Sequence, residues 1–130
     1  MQPRGDKAVV SKFLLEGLGE LNPDVVDEVF APDHALSSPE FGTQVITGTR
    51  IIKSAIEEFI SESAQIECTI QRQIEEGEWV ATSYTLTEAN DVHMGILFSR
   101  VVAGKITESF VVARTISEAE ARVTARKAFN

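Results

Sequence analysis

The hydrophobic pattern of this chain changes period once, at Ala64, and that switch limits the folds open to it. Before it, Val9, Val10, Phe13, Leu14, Gly17, Leu18 and Leu21 recur at intervals of three and four, which places them on one face of a helix. After it, Ile66, Cys68, Ile70 and Ile74 alternate with Glu67, Thr69, Gln71 and Gln73, the pattern of a half-buried strand with the isoleucines and the cysteine inward. Helices come first and strands second, so the class is α+β.

The helical part spans 6–62. Asp6 stands where a side-chain cap satisfies the first free amides of helix one. Asn22-Pro23 opens a short second helix carrying Val25, Val26, Val29 and Phe30. Ala31 to Thr47 reads as a loop, and Gly48-Thr49 opens a third helix with Ile52, Ala55, Ile56, Phe59 and Ile60 as its apolar stripe. The sheet part spans 64–115. Turns at Glu75-Glu76-Gly77-Glu78, Ala89-Asn90-Asp91 and Ala103-Gly104-Lys105 separate at least four sequential antiparallel strands, a meander. Ser117 with Glu120 makes a capping box, and Arg126 and Lys127 suit a helix C-terminus, so a final helix is expected over 117–130. With 130 residues, the whole of 1–130 is read as one domain.

Charge excludes some partners. A formal net charge of −8 opposes binding to nucleic acid or anionic membranes. No stretch approaches the roughly 18 apolar residues of a membrane span, and no apolar run follows the charges of the first residues, so a cytoplasmic location is expected. Cys68 is the only cysteine, which rules out an internal disulfide and a thiolate metal site. Two distant histidines make no metal set, and no glycine-rich strand-to-helix loop is present for a dinucleotide, so neither metal nor cofactor is expected.

The motifs Phe30-Ala31-Pro32-Asp33-His34-Ala35, Pro39, Gly48-Thr49 before a helix, and Gly104-Lys105-Ile106 before the last strand follow one another in an order that resembles the NTF2-like superfamily. Within it the closer resemblance is to the SnoaL-like group of polyketide cyclases and ketosteroid isomerases, over about Val9 to Thr115. It implies a cone, with three N-terminal helices packed on a curved antiparallel meander sheet around one apolar pocket. It also implies catalytic positions, most of which this chain has lost. The isomerases' oxyanion tyrosine falls on Phe13, their basic aspartate on Ser38 and their protonated aspartate near Ile96. The cyclases' last-strand aspartate falls on Val111. None of these side chains can move a proton at neutral pH.

Other groups remain. Asp91 and His93 lie two apart, share a strand face, and form the candidate catalytic pair, with the carboxylate orienting the imidazole. Asp33-His34 reads as the end of helix two, with Asp capping and His favoured by the dipole. Ser38, Tyr84 and Ser109 supply hydroxyls able to orient a ligand carbonyl. By strand parity Arg100 points inward with Ile96 and Phe98, toward a ligand carboxylate or Glu40, or, if a bulge shifts the parity, outward to solvent. The expected pocket is thus lined by Phe13, Ser38, Tyr84, Ile96, Phe98, Arg100, Ser109, Val111 and Ala113. Phe110 and Val112 leave the opposite face of the last strand apolar, which points to a homodimer through the outer sheet face, the alternative being that the C-terminal segment folds back and covers it. Two functions stay open. One is a cofactor-independent cyclase or isomerase acting on a small hydrophobic cyclic ketone or polyketide-like molecule. The other is a non-catalytic ligand-binding or dimeric interaction module.

Overall fold

A computed structural model describes residues 5–89 and 91–117. Helix α1 (Asp6–Lys12) continues into one wide π-helical stretch, Phe13–Leu18. Gly5, not Asp6, is the N-cap, and no side chain caps it; Asp6 is instead the first helical residue, where its charge suits the dipole. Helix α2 (Asp24–Val29) begins one residue later than expected, with Pro23 at its N-cap, while Asn22 Oδ1 accepts from the Asp24 N–H at 3.1 Å. Strand β1 (Phe30–Ser37) follows at once, then a single 3₁₀ turn (Pro39–Phe41), a short β2 (Ile46–Thr47) and helix α3 (Arg50–Ser61). Four long strands complete the fold: β3 (Ile66–Glu76), β4 (Trp79–Glu88), β5 (Asp91–Val102) and β6 (Lys105–Ser117).

The six strands form one sheet in the order β2-β1-β6-β5-β4-β3. The β3-to-β6 meander is antiparallel, but the expected loop over 31–47 contains two further strands, and β1 lies parallel to β6. Pro32 and Asp33 hid β1. Between Phe30 and Ala35 the register advances five residues against two on β6, so this irregular, exposed pair needs no place in the ladder. A second bulge, between Ile70 and Arg72, reverses the faces of β3. Cys68 and Ile70 therefore stay on the concave side, while Ile74 is 61% exposed on the convex side and Gln73 turns inward to donate to Thr82 Oγ1 at 3.2 Å. Strand β6 extends through Ser117, the residue expected to cap the final helix; the rest of that helix lies outside the described residues.

The core fills the concave side of the sheet. Val10 and Leu14 from α1, Val25, Val26 and Val29 from α2 and Ile56 from α3 pack on Val80, Leu97, Val101 and Ile106. Among the described residues no helix is long and apolar enough to cross a membrane.

Candidate functional site

Between the helices and the sheet a cavity of about 240 Å³ remains. Phe13, Leu14 and Leu18 form one wall; Ile51, Ile52 and Ala55 of α3, with Phe41, form the second. The sheet supplies Phe30, His34 and Leu36 from β1, Tyr84 from β4, Leu97 from β5, and Ser109 and Val111 from β6. Ile51 and Ala55 are exposed, which puts the mouth beside α3. No Asp, Glu, Lys or Arg is among the described lining residues.

His34 is the residue that sequence reasoning misplaced. Helix α2 ends at Val29, so His34 is not near its C-terminus; it sits inside β1, fully buried. Its carbonyl accepts from the Gly48 N–H at 2.7 Å, and its ring stands edge-on to Phe30 (centroids 4.7 Å apart, 76°), which in turn packs edge-on to Phe13 at 4.8 Å. Nε2 lies 2.8 Å from Ser109 Oγ, and Nδ1 is buried with no partner among the described residues. Burial disfavours the imidazolium and lowers the pKa from 6.5 to about 4, although the nearby Asp33 and Glu108 charges pull the other way. His34 is therefore neutral at pH 7. Ser99, directly opposite Ser109 in the β5–β6 ladder, is also buried, and its Oγ has no partner among the described residues.

Of the expected lining, Phe13, Tyr84, Ser109 and Val111 reach the cavity. Tyr84 lies across Gly95, and its burial raises the phenol pKa. Ile96, Phe98 and Arg100 do not line the cavity. The β4–β5 register places Leu97 and Ser99 on the concave face, so their neighbours point out: Ile96 is 47% and Phe98 42% exposed. Both faces of β5 carry apolar residues, so hydrophobicity could not choose between the two phases. Arg100 is held on the outer face by Glu78 (2.9 Å) and Glu108 (3.0 Å), not by Glu40. Ser38 is buried but serves the 3₁₀ turn, accepting from the Glu40 N–H at 3.4 Å. Ala113 pairs with Gly95 and is exposed beyond the cavity.

Asp91 and His93 lie at the far end of the sheet, outside the cavity lining. The carboxylate facing His93 is Glu88, at 3.4 Å, because the β4–β5 hairpin brings it across; Thr115 Oγ1 lies 2.7 Å from Nδ1, and Asp91 is exposed at the strand end. Cys68 is half-buried, and desolvation raises its pKa to about 11, which makes it a packing residue and a poor nucleophile. Among the described residues no three side chains are grouped to hold a metal ion.

The profile of the SnoaL-like domain family matches residues 10–109. No curated protein matches the chain. Solved structures do. A proposed ketosteroid isomerase from Kribbella flavida DSM 17836 superposes with a TM-score of 0.70 at 20% identity, covering 84% of this chain and 77% of its own. A proposed SnoaL-like polyketide cyclase from Jannaschia sp. CCS1 gives 0.67 at 18%, covering 96% of each chain. IdmH, a proposed polyketide cyclase from Streptomyces antibioticus, gives 0.67 at 16%, covering 83% of this chain and 91% of its own. At these identities the likeness establishes the fold and leaves the chemistry to the site.

Proposed function

Because the chain belongs to the SnoaL-like domain family, a fold that hosts catalysts and plain binders alike, we propose that it holds one small, neutral, largely apolar molecule inside the cone. The observation that carries this reading is the cavity itself: about 240 Å³ walled by aliphatic and aromatic side chains, with His34, Ser109 and Tyr84 as its polar members. Such a lining gains from burying apolar surface and offers nothing to neutralise a ligand charge. A titration with small cyclic hydrophobes, followed by NMR shifts of cavity methyls, tests it. Saturable binding is expected in the wild type and not in Val111→Phe, which fills the space; binding unaffected by that substitution would defeat the reading.

A second reading is a cofactor-independent cyclase or isomerase acting on a cyclic ketone or polyketide-like substrate. One observation favours it: His34 is unprotonated at pH 7 and, at a pKa of about 4, is about as basic as an ordinary carboxylate, so an unprotonated base sits in the cavity although the inherited acid and base positions are gone. Turnover of a ketone substrate that persists unchanged in His34→Gln would refute it.

The convex face supports a homodimer. Trp79, Met94, Ile96, Phe98, Phe110 and Val112 are all exposed there by 38% or more. A second copy of the same face would cover them, with the Phe98–Phe110 ring pair (centroids 6.3 Å) near its middle.

A further inference from the structure

The hydrogen-bonding state of the buried pair His34–Ser109 specifies more about the ligand than the cavity shape does. This inference rests on the ligand-binding reading above. A neutral imidazole carries one N–H, and a hydroxyl carries one O–H, so the 2.8 Å contact between Nε2 and Oγ can be made in two ways. If Ser109 donates to Nε2, the imidazole hydrogen must sit on Nδ1. That atom is buried with no acceptor among the described residues, so the N–H would be stranded. If Nε2–H donates to Ser109 Oγ, Nδ1 keeps only a lone pair. Buried donors without acceptors are rarer in proteins than under-satisfied acceptors, so the second arrangement is favoured.

That tautomer fixes what Ser109 can do. Its oxygen already accepts from His34, and among the described residues its own hydrogen has no other partner: Ser99 Oγ across the ladder makes no hydrogen bond there, and no other described group accepts from Ser109. The free hydrogen belongs to a side chain that lines the cavity. We propose that His34 and Ser109 form a one-donor selectivity element, with Ser109 O–H presented to a neutral acceptor on the ligand, a ketone-type carbonyl in preference to an alcohol. A carbonyl accepts that hydrogen and brings no donor of its own. An alcohol oxygen accepts it equally well but brings its own O–H, for which the pair offers no acceptor, since Ser109 Oγ already accepts from Nε2 and Nδ1 is buried. A carboxylate would be buried without a counter-charge. His34 is then a positioning residue, and Ser109 is the contact.

Two measurements test this together. The first reads the tautomer in the protein without ligand, by ¹⁵N–¹H correlation of the His34 ring. Nε2 protonated is expected; Nδ1 protonated would overturn the proposal whatever binds. The second compares the affinities of three probes of one shape: 1-indanone, 1-indanol and indane. The ketone is expected to bind at least about fivefold more tightly than the alcohol, after correction for their different transfer from water to hydrocarbon. Ser109→Ala should erase that preference while indane binding is kept, and His34→Gln, whose amide still donates to Oγ, should largely retain it. Equal affinity of ketone and alcohol in the wild type would overturn the donor assignment. Failure of all three probes to bind would overturn the cavity reading and the ligand class with it, and the tautomer would still confirm or refute the His34–Ser109 arrangement.

Discussion

Burial of a neutral histidine makes the stability of this domain depend on pH in a defined window. In the unfolded chain His34 protonates near its ordinary pKa of 6.5; in the fold it resists protonation until about 4. Between those values the unfolded state binds more protons, so unfolding free energy falls as pH falls and recovers as pH rises. Above about 6.5 the contribution is fully present, and below about 4 it is gone. A fall of about 2.5 from 6.5 to about 4, at about 1.4 kcal/mol per pH unit, comes to about 3–4 kcal/mol. His34 is fully buried, so solvent screening does not reduce this figure much. Urea denaturation of wild type and His34→Gln at a series of pH values from 7.5 to 3.5 isolates it, because the carboxylates titrate alike in both proteins. The difference between the two stabilities should change by about 3–4 kcal/mol across the window, with a midpoint slope near one proton. Parallel curves, or a His34 resonance in the folded protein titrating between pH 6 and 7, would refute the argument.

Other consequences follow from packing. A Cβ at Gly95 would lie 2.5 Å from Tyr84 Cζ and Oη, so Gly95→Ala should push that ring off the ladder and weaken probe binding by severalfold with a modest loss of stability; unchanged affinity in a titration would contradict this. Ile56 is the fully buried anchor of α3, and Ile56→Ala should lower unfolding free energy by about 2–5 kcal/mol, so a loss under about 1 kcal/mol by urea denaturation would show that α3 is not seated as described. Light scattering should give a dimer for the wild type and a monomer for Phe110→Glu, which puts a charge in the middle of the convex face; a wild-type monomer defeats the dimer proposal.

The elements that were legible in the sequence are those whose pattern is local. Helix α3, the Asn22-Pro23 start of α2 and the turns at Gly77 and Ala103-Gly104 follow from spacing and turn chemistry over a few residues. Strand β1 was not legible because what makes it a strand is β6, about seventy residues away and parallel, and because Pro32 and Asp33 in its bulge look like loop residues. The misplacement of His34 follows from that one error: after a helix it reads as a residue favoured by the helix dipole, and as a strand residue two positions before Leu36 it faces the cavity. The face of β5 was unreadable for a different reason. Ile96 and Phe98 are as apolar as Leu97, since the convex side carries its own hydrophobic patch, so alternation cannot say which set is inside. Phe13, Ser109 and Val111 were placed on the cavity through the family resemblance and the β6 parity, which no bulge interrupts between Glu108 and Thr115.

The central claim is that the ligand lies inside the cone and not on the exposed convex face, and neighbouring residues on β5 and β6 report on opposite sides of the sheet. Intermolecular NOEs from bound 1-indanone to side-chain methyls decide between them. Contacts to Leu97 and Val111, with none to Ile96 and Val112, are the predicted result. Contacts to Ile96 and Val112 alone would contradict it.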